Sequence, residues 1–287
     1  MSTSRHIDKI WPARAVTDGD GVRINRNANA KDMHTFDPFL LLDEMVSDDA
    51  NDYIGGFPEH PHRGFETVTY MLEGRMQHRD HMGNTGELVS GSVQWMTAGR
   101  GVLHSEMPLQ ESGRLHGFQL WVNLPATEKL CEPAYREFQP EEIPTVTAAG
   151  VTAKVIAGQL QLLENGQPSI SATGPVQGIS TAPDFFDIHL TEGAAVTLSV
   201  AMQKKLLLYV YEGDALVDGT KGIMTQQIAT TTAGDTLTLS SKAGGKLLLL
   251  AGEPINEPIS HWGPFVMNTP QEIDQALQDM RNGTLVQ

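Results

Sequence analysis

Two short motifs carry residue types that bind transition metals. His60 and His62 stand two positions apart, and His104 and Glu106 repeat this spacing further along the chain. Residues i and i+2 of a β-strand point to the same face, so each motif presents two ligands to one space. If the two strands face each other, three imidazoles and one carboxylate meet, a set that suits iron(II), manganese(II), nickel(II), copper(II) or zinc(II). We predict one such metal site, with coordination positions left open for water, dioxygen or substrate.

Other polar residues near these motifs have less defined roles. Glu66 shares the strand parity of His60 and His62, which leaves it as a ligand, as a residue that orients a histidine, or as a charge on a bent strand. His78 and His81 flank charged residues and are predicted to be exposed. Whether His116 and Gln119 approach the cavity stays open. The remaining histidines lack partner spacing and are interpreted as structural: His6, His34, His189 and His261.

The elements that position these motifs are predicted to be short β-strands. Runs such as Thr67–Leu72, Phe118–Val122 and Leu206–Tyr211 are rich in β-branched, aromatic and leucine residues, and frequent glycines and prolines separate them. This pattern indicates an all-β sandwich or barrel. At the C-terminus, a possible cap at Thr269, Pro270 in the first turn and Gly283 predict a helix with one apolar face.

A weak internal repeat divides the chain into two halves. In each half a strand that ends in Glu-Gly, at Gly74 and at Gly213, is followed by a second glycine turn. We therefore expect a metal-binding domain over residues 1–140 and a second domain over residues 141–287 that includes the terminal helix. Aligning the repeats places Ser199, Ala201, Leu247 and Leu249 where the first half has its metal motifs. None of these four is a good ligand, so no equivalent metal is expected in the second half.

Composition and charge narrow the function classes. The net charge of −15 disfavours direct binding to nucleic acids and to anionic membrane surfaces. The single cysteine, Cys131, excludes an intrachain disulfide and lacks an adjacent base, so a nucleophilic role is disfavoured. The chain shows neither a signal peptide nor an apolar run long enough to cross a bilayer, which predicts a cytoplasmic protein. Glycine-rich nucleotide-binding motifs and a serine-hydrolase motif are also absent.

Three longer stretches resemble the pirin family. Gly55–Val68 and Gln94–Pro108, which contain the two metal motifs, are similar to the first and second metal motifs of pirins, and Glu257–Asn268 is similar to their C-terminal segment. The resemblance covers nearly the whole chain and is weakest between about Glu141 and Ala201. It implies a fold of two cupin-type β-barrels, with Fe(II) held in the N-terminal barrel at the positions of His60, His62, His104 and Glu106.

The resemblance also implies the candidate functions. Some pirins open flavonols such as quercetin with dioxygen, which predicts a small aromatic substrate and a carboxylate, Glu106 or Glu66, that accepts the substrate proton. Other members act as iron-dependent partners of transcription factors or metabolic enzymes, which predicts a protein partner. A metal-dependent isomerase or a metal-free sugar-binding barrel stays open because a fold does not fix a function. We expect a dioxygenase with Glu106 as its catalytic residue, and an iron-dependent regulator as the alternative.

Overall fold

The computed structural model describes residues 2–27 and 33–287 and confirms the predicted all-β architecture, with two cupin-type domains. The N-terminal part contains β1 (Ile7–Pro12), β2 (Arg14–Asp18), β3 (Val22–Arg26), α1 (Met33–Phe36), β4 (Phe39–Ser47), β5 (Phe57–His62), β6 (Phe65–Glu73), β7 (Met76–Asp80), β8 (Thr85–Leu88), β9 (Val93–Thr97), β10 (Val102–Pro108), β11 (Leu115–Asn123) and β12 (Ala134–Phe138). Single 3₁₀ turns lie at Ala50–Asp52 and Pro140–Glu142.

The C-terminal part continues the same pattern of short strands. It contains β13 (Thr145–Ala148), β14 (Val151–Ala157), β15 (Gln159–Glu164), β16 (Gln167–Thr173), β17 (Asp184–Leu190), β18 (Ala195–Ser199), β19 (Lys205–Val217), β20 (Lys221–Met224), β21 (Gln227–Thr231), β22 (Thr236–Ser240), β23 (Gly245–Gly252), β24 (Ser260–Trp262), β25 (Phe265–Met267) and α2 (Pro270–Asn282). Within the described residues, no helix is both long and apolar enough to cross a membrane.

The chain folds into two compact units that differ at both termini from the linear division expected from the sequence. The first barrel unit contains Arg14–Pro140 and Ile255–Gln287, and the second barrel unit contains Met1–Ala13 and Glu141–Pro254. The N-terminal strand joins the second unit because β1 pairs antiparallel with β21. The terminal helix, expected in the second domain, belongs instead to the first unit because it packs on β24 and β25.

The first barrel unit contains two large antiparallel sheets and the short two-stranded sheet β24-β25. Its seven-stranded sheet has the order β12-β9-β6-β11-β4-β3-β2, and its four-stranded sheet has the order β5-β10-β7-β8. Strand β5 contains Pro58 and Pro61, which lack backbone donors, and it lies at the edge of its sheet, where proline is tolerated.

The second barrel unit has one large apolar core. Its strands form one twelve-stranded antiparallel sheet, in which the long strand β19 pairs with four other strands. Alternate residues of these strands are leucine, valine, isoleucine and alanine, and they pack into one cluster of buried residues. Both Leu247 and Leu249 belong to this cluster and are completely buried. The positions that align with the metal motif His104–Glu106 are thus occupied here by core leucines.

Helix α2 is present as predicted, and its ends explain why it forms. Thr269 caps the helix by accepting a hydrogen bond from the Glu272 backbone N–H, while the Glu272 side chain accepts one from the Thr269 backbone N–H. Gly283 ends the helix in the left-handed conformation. The apolar face buries Ile273 and Ala276 against β25, so the helix completes the core of the first barrel unit.

Candidate metal centre

Three imidazoles converge in the first barrel unit. His60 Nε2 lies 3.1 Å from His62 Nε2 and 3.0 Å from His104 Nε2. Candidate ligand atoms of the three residues all lie within 4.8 Å of one another. His62 and His104 are buried, while His60 is partly exposed. Within residues 2–27 and 33–287, this is the one group of three or more histidine, cysteine or acidic side chains found at metal-binding distances.

Strand pairing explains why these residues meet. Strands β5 and β10 are antiparallel, and His60 lies directly opposite His104 in the ladder. The turn that follows β5 needs Gly64, whose φ is +91° and where a Cβ atom would lie 2.0 Å from the carbonyl oxygen of Val266. The turn before β10 is equally tight at Gly101, where a Cβ atom would lie 2.2 Å from the carbonyl oxygen of Leu285.

Hydrogen bonds prepare two of the imidazoles for metal binding. His60 Nδ1 lies 2.9 Å from the carbonyl oxygen of Pro58. Because a carbonyl oxygen only accepts, Nδ1 of His60 carries the proton and Nε2 presents a lone pair to the cluster. His104 Nδ1 lies 2.9 Å from His78 Nε2. When His104 donates to His78, its Nε2 is likewise free to bind a cation.

The surroundings keep His62 and His104 unprotonated at neutral pH. Burial lowers the pKa of His62 well below its usual value, and the neighbouring His60 lowers it further. Burial, followed by the charges of His62, His60 and His78, lowers the pKa of His104 in the same way. Neutral imidazole is the form that binds metals. The buried nitrogens of His62 and His104 therefore suit a divalent cation.

Glu106 lies at the same cavity but is held by hydrogen bonds. Its Oε1 is 2.7 Å from Thr69 Oγ1, and its Oε2 accepts from Gln119 Nε2 at 3.2 Å. Thr69 Oγ1 is also 2.7 Å from Gln119 Oε1. One hydroxyl proton cannot serve both oxygens, and a protonated Glu106 that donates to Thr69 completes the network. Burial raises the pKa of Glu106, in agreement with this arrangement.

His78, predicted to be exposed, is fully buried and contacts the cluster. Strand β7 pairs with β10 so that His78 lies opposite Glu106, and its ring stacks on Tyr135 at 5.0 Å. Burial lowers the pKa of His78 to about 4. The prediction gave too much weight to the neighbours Arg79 and Asp80. The useful signal was the alternation Met76–Gln–His78, which places His78 on the same face as a buried methionine.

Glu66 does not face the imidazoles. Odd-numbered residues of β6 face the site, since Phe65 packs on His62 with ring centroids 5.1 Å apart and Thr69 contacts Glu106. Glu66 points to the opposite side and accepts a hydrogen bond from Thr97 Oγ1 at 2.7 Å. Strand parity was misleading here because β5 and β6 are separate strands. The alternation of side-chain direction along β5 does not continue through the turn into β6. Burial raises the pKa of Glu66 to about 7.

The remaining polar residues fall into two groups, those that line the cavity and those that lie away from it. Gln119 lines the cavity and contacts Glu106. His116 is buried away from the cluster, with Nε2 2.9 Å from Glu44 Oε1. His81 is exposed as predicted. His261, interpreted from the sequence as structural, lines the cavity.

Two imidazoles of the cluster, His60 and His62, border a cavity of about 750 Å³, within the range of small-molecule sites. Much of the wall is apolar and is formed by Ile24, Met33, Leu40, Leu41, Met45, Phe57 and Trp121. The polar wall residues include His60, His62, Glu106 and Gln119. Such a cavity can enclose a flat aromatic molecule and exclude bulk water around the three imidazoles.

Sequence and structure comparisons agree with this architecture. Residues 21–122 match the family described as Pirin, and residues 185–286 match the Pirin C-terminal cupin domain. A Pseudomonas aeruginosa protein named "Putative quercetin 2,3-dioxygenase" is 46% identical over 99% of both chains. Human Pirin is 39% identical over 98% of this chain and 94% of its own length. The crystal structure of an Acinetobacter baumannii quercetin 2,3-dioxygenase superposes with a TM-score of 0.88, at 32% identity over 99% of this chain and 100% of that one. The chain belongs to the pirin family.

Proposed function

We propose that the first barrel unit holds one divalent transition metal through His60, His62 and His104, with Glu106 as the fourth ligand. The close approach of three imidazole nitrogens supports the first three assignments. Glu106 lines the same cavity, and loss of its proton would free an oxygen for the cation. A set of three nitrogens and one carboxylate oxygen accepts several metals, and among them we propose iron(II), which the family resemblance favours. We assign no equivalent metal to the second barrel unit.

We further propose that the protein is a dioxygenase that opens quercetin-like flavonols. The observation that carries this proposal is that two imidazoles of the cluster, His60 and His62, lie on the wall of a largely apolar cavity. Relatives over the full length carry the dioxygenase name, including the solved Acinetobacter baumannii structure. An aromatic substrate would be enclosed by Trp121, Leu40 and Phe57, and its polar edge would lie at the imidazoles.

Each polar residue has a defined task in this reaction. A bound divalent metal would supply a positive charge that lowers the pKa of the flavonol hydroxyl. Glu106 accepts that proton, because its carboxylate lines the same cavity as His60 and His62. Thr69 and Gln119 hold the Glu106 carboxyl in place by hydrogen bonds. The apolar wall excludes water, which would compete for the deprotonated oxygen.

Metal analysis combined with oxygen uptake on quercetin tests the proposal. We expect close to one iron per chain, together with oxygen consumption and release of carbon monoxide. The variant His62→Ala is expected to lose both metal and oxygen uptake. His6→Ala is the matched control, because His6 is an exposed histidine of the second barrel unit. Equal metal content in wild type and His62→Ala would contradict the ligand assignment.

The same experiment separates the dioxygenase from the regulatory alternative. Iron binding that is lost in His62→Ala, without oxygen uptake on quercetin, would contradict the dioxygenase and favour an iron-dependent partner of a transcription factor or metabolic enzyme. The acidic net charge of −15 makes direct binding to nucleic acid unfavourable in either case. A cytoplasmic location remains part of the proposal and is checked by cell fractionation.

A further inference from the structure

A charged cluster forms part of the wall of the same cavity. Arg26 at the end of β3 donates from Nε to Asp43 Oδ1 at 2.9 Å and from Nη2 to Asp43 Oδ2 at 2.7 Å. Its Nη2 also donates to Asp18 Oδ2 at 2.6 Å. The three residues come from the neighbouring strands β2, β3 and β4 of the seven-stranded sheet. The guanidinium is therefore held rigidly between two carboxylates, in a fork geometry that favours strong hydrogen bonds.

This cluster has hydrogen-bonding capacity that none of the described residues uses. Arg26, Asp18 and Asp43 all line the cavity. Within the part of the chain that the structure describes, Nη1 of Arg26 has no hydrogen-bond partner, whereas Nε and Nη2 are both engaged. Asp18 Oδ1 accepts one bond from the Gly19 backbone N–H and has capacity for another. Among residues 2–27 and 33–287, Arg26 thus keeps donors for a ligand, and Asp18, which it contacts, keeps an acceptor.

The charge balance of the cluster selects among ligands. Two carboxylates outnumber one guanidinium, so the cluster carries a net negative charge when both acids are ionised. A carboxylate, sulfate or phosphate on the ligand would be repelled, and burying it without a full counter-charge is costly. A hydroxyl group suits the cluster, because it can accept from Arg26 and donate to Asp18. A carbonyl oxygen can use the Arg26 donors alone.

We propose that Arg26, with Asp18 and Asp43, is a second recognition point in this cavity, which binds a neutral hydroxyl or carbonyl oxygen on the substrate and rejects anionic substituents. This inference rests on the proposed function, since it deepens the substrate class of the same cavity. The substrate is an uncharged aromatic molecule with oxygens at two places. One set of oxygens lies at the imidazoles, and a further hydroxyl or carbonyl lies at Arg26.

Binding of three probes under anaerobic conditions tests this assignment. The probes are quercetin, 3-hydroxyflavone, which lacks the other ring hydroxyls, and 3-hydroxyflavone with a carboxylate on its phenyl ring. All three keep the oxygen pair proposed to lie at the metal. Binding to the metal-loaded full chain is followed by quenching of tryptophan fluorescence, since Trp121 lines the cavity. We expect quercetin to bind about tenfold or more tightly than either other probe, because 3-hydroxyflavone offers Arg26 and Asp18 no hydroxyl and the carboxylated probe is repelled by the two acids.

Two variants and a control connect this preference to the cluster. The double variant Arg26→Gln with Asp43→Asn removes both charges of this ion pair together, and we expect the preference for quercetin over 3-hydroxyflavone to fall to about twofold. The milder Asp18→Asn can keep the bond from the Gly19 backbone and removes one negative charge. It is expected to bind the carboxylated probe about fivefold more tightly than wild type does. Arg75→Gln is the control, because Arg75 forms an exposed ion pair with Glu87.

The outcomes separate this inference from the dioxygenase proposal. Quercetin that binds with the expected preference but is not oxidised contradicts the dioxygenase and supports the recognition point. Quercetin and 3-hydroxyflavone that bind equally overturn the recognition point, even if both are oxidised. An unchanged preference in the double variant, an unchanged affinity of Asp18→Asn for the carboxylated probe, or tight binding of that probe by wild type also overturns it. If no probe binds, both proposals are wrong. Asp18→Asn keeps the test valid if the double variant fails to fold.

Discussion

The two barrel units share antiparallel β architecture but use their interiors differently. The second unit fills its interior with one apolar cluster, in which Leu247 and Leu249 are completely buried. The first unit leaves a cavity of about 750 Å³ and borders it with His60, His62 and Glu106. In the second unit the interior supplies stability through close packing. The first unit is less closely packed around its cavity and buries polar groups there. Burying these groups is unfavourable unless a ligand binds to them. We therefore expect substitutions in the first interior to lower metal content, and substitutions in the second interior to lower the free energy of unfolding.

The largest expected effect is the loss of metal from the first unit. His104→Ala removes a buried nitrogen of the cluster, so metal content should fall from near one per chain to near zero. Folding should persist, because the cavity already interrupts the core there. Elemental analysis and circular dichroism on the same samples check both statements. Retention of the metal by His104→Ala would contradict the proposal that the first interior binds the metal through His104.

The reverse result is expected in the second unit. Leu249→Ala leaves a cavity in a closely packed core and should lower the free energy of unfolding by about 2–5 kcal/mol. Its metal content per folded chain should equal that of wild type. Chemical denaturation of the metal-free protein measures the first quantity, and elemental analysis the second. A loss below about 0.5 kcal/mol would show that this interior is not closely packed.

A pH-dependent effect is expected at Glu66 in the first unit. Burial raises its folded-state pKa from 4.5 to about 7, so the folded protein binds more protons than the unfolded chain between these values. The stability contributed by the protonated carboxyl is complete below pH 4.5 and is lost as the pH rises through about 7. Above that pH, ionised Glu66 should cost about 2–3 kcal/mol.

Glu66→Gln removes this titration and keeps an oxygen that can accept from Thr97. Compared with wild type, the variant should gain stability at pH 8.5 and change little at pH 5. Denaturation curves at both pH values check this, with the exposed Glu164→Gln as control. An equal difference between variant and wild type at the two pH values would contradict a raised pKa of Glu66.

The smallest effect is expected at His78, which would orient a ligand without binding the metal. His78→Phe keeps a ring against Tyr135 but removes the acceptor for His104 Nδ1, and metal affinity should fall about 10–100-fold. Zinc competition against a chromophoric chelator measures the affinity. Tyr135→Phe is the matched control, since it keeps the ring stacked on His78 and loses only the hydroxyl. If both variants bind zinc as wild type does, His78 has no orienting role.

Local patterns made part of this structure predictable from the sequence. The spacing of His60 and His62 placed two imidazoles on one face because strand alternation is local and needs no knowledge of the remaining chain. The helix at Pro270–Asn282 was predictable because its capping residues are adjacent in sequence. The same local rule failed at Glu66, where a turn separates two strands.

Other features depended on long-range pairing that local patterns do not encode. The N-terminal strand pairs with Gln227–Thr231, more than 200 residues away, so the composition of β1 gave no indication of its unit. Arg26 and Asp43 form an ion pair although they are 17 residues apart in the sequence. Only the folded sheet shows that this ion pair borders the cavity. The contact between His78 and His104 depends on the pairing of β7 with β10.

Anomalous diffraction at the iron absorption edge, from crystals of protein grown with iron, tests the central claim most directly. We predict one strong peak in the first barrel unit, within bonding distance of Nε2 of His60, His62 and His104 and of a carboxylate oxygen of Glu106. No peak is expected in the second barrel unit. A peak bonded to the histidines but not to Glu106 would remove Glu106 from the ligand set. The absence of any peak at the three imidazoles would contradict the account.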